Sequence, residues 1–184
     1  MKAAVIENWR FGRREAAELV GMTSGQLGNY LTRYDLFQGR GKGHHFDFAL
    51  RDLLTVSAVK ALIEMGGLTP EQAAMALRGI AGPYGVMLHD GWGPLGHCPG
   101  TLAFTRNTNG RWRAVDGFDK AVSIQIRAWP LFDDLWPRVR AKIREEGKAD
   151  PAPYSGDVEA GIAAFEKRIA ETRAERWGNQ RVSQ

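Results

Sequence analysis

The sequence predicts a mixed α+β fold: four short helices, then a small antiparallel sheet, then one or two C-terminal helices. Three observations carry this prediction. Helical periodicity and two capping signals fill the chain as far as about residue 81. Gly79, Gly82, Pro83 and Gly85 then break helical structure, and strand-like alternation takes over. Helical spacing returns from Pro130. The expected organisation is therefore 1–82, 83–148 and 149–184. The last part is a linker stiffened by prolines (Asp150-Pro151-Ala152-Pro153) and an amphipathic helix.

In chain order, residues 13–20 place Ala16, Ala17 and Val20 on one face of a short helix, which Gly21 ends. Thr23-Ser24-Gly25-Gln26 reads as a capping box: the threonine hydroxyl takes the Gln26 amide, and the glutamine reaches back. A second helix thus starts at Ser24 and carries Leu27, Tyr30, Leu31 and Tyr34 before Asp35 breaks it. Two helices joined by a tight turn form a helix-turn-helix. Next, Gly39, Gly41 and Gly43 interleave with Arg40 and Lys42, a composition that makes a backbone-exposed, cationic hairpin tip rather than a core. Phe46 and Phe48 flank Asp47 as in a half-buried strand, so this segment is read as a wing.

Leu50, Leu53, Leu54, Ala58, Ala61, Leu62 and Met65 form one apolar helical stripe, stopped by Gly66-Gly67. Thr69-Pro70-Glu71-Gln72 opens a fourth helix with a second capping box and a proline at the first helical position. Beyond the break, Asn109-Gly110 between Leu102–Thr105 and Arg111–Val115 signals a hairpin. Val122, Ile124, Ile126 and Ala128 alternate with polar residues as a further strand, giving a sheet of three or four strands. Pro130–Glu146 reads as a helix that Pro137 kinks or breaks. Val158, Ile162, Phe165 and Ile169 make a heptad-like stripe that either packs back on the body or pairs with a copy of itself.

Composition narrows the class. With 184 residues, 43% hydrophobic and 25% charged, the chain can bury a core and is not expected to be disordered. It holds no apolar run long enough for a bilayer and no evident secretory signal. A single cysteine, Cys98, makes no internal disulfide, which suits the cytoplasm. Net charge is +4, and residues 1–51 hold eight Lys or Arg against five acids, a weak pull toward an anionic partner. His89, His97 and Cys98 lack the paired spacing of a structural zinc site, and Cys98 beside His97 has no third partner for nucleophilic catalysis. With no phosphate loop or nucleotide fingerprint either, no metal, no cofactor and no enzymatic activity are expected. Trp92, Trp112, Trp129, Trp136 and Trp177 suit the core or partner interface of an α+β unit better than a ligand pocket.

Residues 11–77 resemble the N-terminal winged helix-turn-helix domain of MerR-type regulators. The resemblance lies in Ala17, Gly21-Met22-Thr23, Leu27 and Tyr30, and in Asp35-Leu36-Phe37 where the family has Gly-Leu-Leu. It continues through Phe48 at the wing aromatic, Asp52-Leu53, Gly67-Leu68-Thr69, Glu71 and Leu77. Phage small-terminase and excisionase domains are similar. The chain departs from the family at Gly28 and Phe46, where arginines are usual, and lacks the long dimer-forming helix expected after residue 80. The resemblance implies a double-stranded-DNA-binding transcriptional regulator acting as a homodimer, without implying metal or drug sensing.

For such a domain the second helix enters the major groove by its first turns. Ser24, Gln26, Asn29 and Arg33 are its polar candidates, since Asn and Gln pair with adenine and Arg with guanine. Tyr30 joins them on the same helix, and Thr23 caps it where a phosphate can sit. Arg13 and Arg14 are expected on backbone phosphates, and Arg40, Lys42, His44 and His45 form the wing contacts. The C-terminal α+β part is expected to dimerise or take a small-molecule or protein effector. Two other readings fit the sequence: a phage packaging or recombination adaptor, and a protein-interaction or ligand-binding module that does not bind DNA.

Overall fold

The computed structural model describes residues 6–37, 47–81, 101–115, 124–149 and 157–180. Its elements are α1 (Arg13–Val20), α2 (Ser24–Thr32), α3 (Leu50–Glu64), α4 (Pro70–Ala81), β1 (Thr101–Arg106), β2 (Trp112–Val115), β3 (Ile124–Arg127), α5 (Ala128–Ala149) and α6 (Val158–Gln180). They group into two compact units. One is Arg10–Leu135; the other joins Met1–Trp9 to Trp136–Gln184. These units are defined by packing alone. The division at 82 and 148 read from composition concerns role, and it remains a proposal.

In the Arg10–Leu135 unit the helices form where local chemistry directs them. Gly21 ends α1 at φ 66°, a left-handed conformation that a side chain would strain. The Thr23 box closes as expected: the Gln26 amide donates to Thr23 Oγ1 at 3.1 Å, and the Thr23 amide to Gln26 Oε1 at 2.8 Å. The Thr69 box forms in the same way, at 3.3 and 3.1 Å. Of the expected α3 stripe Leu50, Leu53, Leu54, Ala58 and Leu62 are buried, Ala61 is half-buried and Met65 is exposed, while Asp52, Thr55, Val56 and Val59 are buried too, so α3 is covered on more than one side. α1 packs on α2 and α3, and α3 on α4. Phe48 pairs with Phe11 as an isolated antiparallel bridge, through amide–carbonyl bonds of 2.9 and 2.8 Å. Its ring meets Phe37 edge-on. In place of the strand expected around Phe48 the described residues show this single bridge; Phe46 lies outside them.

The sheet has three antiparallel strands in the order β2-β1-β3, with α4 packed against β2 and α3 against β3. Phe104 sits at its centre, fully buried, opposite Ala114 and Ile124, and Ile126 on the same face is also buried. Arg113, Gln125 and Arg127, which project from the other face, are exposed. The Asn109-Gly110 hairpin forms, but through a longer turn than a two-residue loop. The last β1–β2 pair is Arg106 with Trp112. Gly110 at φ 74° donates to the Asn107 carbonyl, and Asn107 Oδ1 accepts from the Asn109 and Arg111 amides.

α5 passes Pro137 without interruption, and its residues from Trp136 onward belong to the second unit. Proline removes one backbone donor there, and Pro137 lies on the exposed side of the helix. Trp136, Val139 and Ile143 of α5 are buried, as are Ile162, Phe165 and Ile169 of α6. The Trp136 and Phe165 rings lie 4.8 Å apart, and the Trp136 indole and Arg140 guanidinium both donate to Glu166 Oε1 at 2.9 Å. Arg144 grips Glu159 through two bonds of 2.7 Å. Near the N-terminus Ile6 and Trp9 are buried, with Trp9 donating to Glu146 at 2.8 Å and Glu7 paired to Arg168. The α6 stripe therefore packs within its own unit, which resolves the alternative left by its spacing.

Candidate nucleic-acid interface

α2 is nine residues long, SGQLGNYLT, and carries no acid. Leu27, Tyr30 and Leu31 form its buried side, and Ser24, Gly25, Gln26, Asn29 and Thr32 its exposed side, with Arg33 exposed at the C-cap. A polar, carboxylate-free outer face over an apolar inner one suits a helix that docks on an anionic surface without desolvating like charge.

The expected site residues divide clearly. Thr23, Ser24, Gln26, Asn29 and Arg33 are exposed along α2, and Arg13 and Arg14 are exposed at the first turn of α1. Arg13 reaches across to α2: a Cβ built on Gly28 would lie 4.0 Å from Arg13 Nη1. The arginine the family usually has at position 28 is thus absent, while a guanidinium from α1 occupies the neighbouring space. Glu15 accepts from the Gly12 amide at 3.0 Å, supplying the acid that the N-terminus of α1 needs beside its two cations. The Arg33 guanidinium lies 5.4 Å from the Tyr34 ring centroid, within cation–π range.

Two of these residues are engaged elsewhere. Gln26 spends Oε1 on Thr23, so bidentate pairing with adenine, which needs both amide atoms, would open the capping box. Tyr30 is only 5% exposed, and its ring belongs to the core, 5.8 Å from that of Tyr34. Burial, with Tyr34 adding to it, raises the hydroxyl above its ordinary value of 10.0, so it stays neutral. Tyr30 supports α2 from behind rather than from its outer face. Arg40, Lys42, His44 and His45 lie outside the described residues, as do His89, His97 and Cys98.

Two contacts that flank α2 have no signal in the sequence. Lys60 Nζ, on α3, donates to the carbonyls of Val20 and Gly21 at 3.3 and 3.2 Å, closing the end of α1 at the turn. Beyond α2, Asp35 adopts φ 47°, and its carboxylate pairs with Arg78 of α4 at 2.7 Å. Asp35 stands where the family has glycine, and aspartate is among the few side chains that tolerate this conformation. No local pattern announces either contact, because each joins residues about 40 positions apart.

These elements define a helix-turn-helix within a mixed α+β chain. Residues 13–80 match the model of a family described as MerR HTH family regulatory protein, which agrees with the resemblance read over 11–77. No curated protein and no solved structure matches the chain. Among the described residues, no helix is long and apolar enough to cross a membrane.

Proposed function

We propose that the protein is a sequence-specific double-stranded-DNA-binding regulator of transcription, with no enzymatic activity of its own. The observation that carries this reading is the outer face of α2, exposed and free of acids, in a segment that matches a family of helix-turn-helix regulators. α2 enters the major groove by its N-terminal turns. Asn29 and Arg33 are the principal base-reading side chains, with Ser24 beside them; Gln26 joins them only by giving up its cap. Thr23, Arg13 and Arg14 position the duplex through its phosphates. Arg40, Lys42, His44 and His45 form a wing on the adjoining groove. The protein acts as a homodimer in the cytoplasm, because half-sites a helical turn apart double the contact without enlarging the domain. The region beyond residue 82 takes the dimer contact and an effector.

Selection of genomic fragments by the purified protein at physiological salt tests binding and yields the site together. Replacing Asn29 and Arg33 by alanine then weakens binding to the selected site by about 1–3 kcal/mol for each bidentate pair removed, and relaxes preference at those bases. Equal affinity of wild type and variant for selected and scrambled duplexes overturns the reading.

A further inference from the structure

The β1–β2 hairpin carries a second concentration of positive charge. Residues 101–115 and the strand β3 contain Arg106, Arg111, Arg113 and Arg127 and no acid. All four arginines are exposed, and none of them forms an ion pair among the described residues. Arg106 stacks its guanidinium over the Trp112 ring, 5.4 Å from the centroid, which stiffens the hairpin just before its turn. Arg111 follows the turn, and Arg113 projects from the other face, opposite Thr105. The turn itself is set by backbone and Asn107 side-chain bonds, so the arginines stand on a defined frame rather than a loose loop.

The spacing of the charges selects the kind of anion. On the face away from Phe104, the exposed Arg113 and Arg127 lie on opposite edge strands, in register with Thr105, which is itself buried, and Thr101 of the central strand. Two strand spacings across and four residues along put their Cα atoms about 17 Å apart. No small anion bridges that distance, whereas a nucleic-acid backbone offers a charge every few ångströms along its length. The same compact unit contains α2, and α4 joins the sheet to the helices by packing against β2.

We infer that the arginine hairpin is a second DNA-contacting arm, which grips duplex phosphates flanking the segment read by α2. This rests on the DNA-binding reading above, and it adds affinity without sequence preference, since phosphate contacts carry no base information.

The test uses the full-length protein and fluorescence anisotropy on a labelled duplex chosen by genomic-fragment selection, titrated at several salt concentrations. Arg111→Gln/Arg113→Gln lowers the slope of log affinity against log salt by about two, one for each phosphate no longer neutralised. Preference for the selected over a scrambled duplex is retained. Arg106 is left in place because its contact with Trp112 is structural. Arg111→Lys/Arg113→Lys restores the slope, which a purely structural role would not predict. If wild type binds with a preference that Asn29→Ala/Arg33→Ala removes, while the glutamine pair leaves the slope unchanged, the hairpin proposal alone is overturned. If wild type binds no duplex, the DNA-binding reading falls, and the arm with it.

Discussion

At the scale of single residues, two glycines in α2 are the least expected choice. Gly25 and Gly28 occupy a nine-residue helix, and each costs about 1 kcal/mol relative to alanine. Among the described residues no contact requires them. A Cβ at Gly25 would come no nearer than 3.9 Å to Thr23 Oγ1, and one at Gly28 would sit 4.0 Å from Arg13 Nη1, both ordinary contacts. Their backbone is helical, so positive φ is not the reason either. A helix that gives up stability on its outer side gains a smooth surface for close approach. Gly25→Ala and Gly28→Ala should each raise thermal stability by up to about 1 kcal/mol and yet weaken binding to the selected duplex. Thermal denaturation and anisotropy measure the two effects separately, and a stabilised variant with undiminished affinity would show that the face is merely solvated. Position 35 makes the complementary point. Its aspartate carries a left-handed backbone that glycine would adopt freely, and the pairing with Arg78 gives it a use that glycine lacks.

At the scale of elements, the legible features were those whose causes lie within four residues. Both capping boxes, the glycine end of α1 and the hairpin around Asn109-Gly110 follow from local spacing, and all are present, whereas the α3 stripe understated how much of that helix is covered. The features that were not legible depend on partners distant in sequence. The stripe of α6 suited either self-association or intramolecular packing, and the decision was made by Trp136, Val139 and Ile143 on a different helix. Tyr30 has the spacing of a core residue and the chemistry of a contact residue, and only burial separates the two. Lys60 is the clearest case, since the pattern of an amphipathic helix gives no hint that its ammonium closes the turn of another. Lys60→Met keeps the aliphatic stem while removing the donor. It should cost about 1–2 kcal/mol, because two carbonyls at the end of α1 lose a charged partner that is itself partly exposed. Urea denaturation measures the loss; no change in midpoint would mean that water replaces the ammonium at no cost.

At the scale of the whole molecule, the two compact units rest on different kinds of core. Arg10–Leu135 combines helices with a sheet around Leu27, Leu53, Val59 and Phe104, all essentially inaccessible. The other unit closes on Trp9, Trp136, Phe165 and a set of ion pairs including Arg140–Glu166 and Arg144–Glu159. Phe165→Ala should remove about 3–5 kcal/mol and open α6 to protease, while Arg140→Gln, at a half-exposed pair, costs under about 1 kcal/mol. Limited proteolysis followed by mass mapping distinguishes these outcomes. Because Ile162, Phe165 and Ile169 are already covered within their own unit, a homodimer of this protein has to assemble through another surface.

The lysine that closes the α1–α2 turn has a consequence for heredity. α2 is short and weakened by its glycines, and the turn that leads into it is held from α3 by the Lys60 ammonium on the carbonyls of Val20 and Gly21. If α2 reads DNA as proposed, mutants with altered choice of target would arise from position 60 as well as from positions 29 and 33. On the same proposal, related proteins would diverge in target choice while keeping every residue of the outer face of α2.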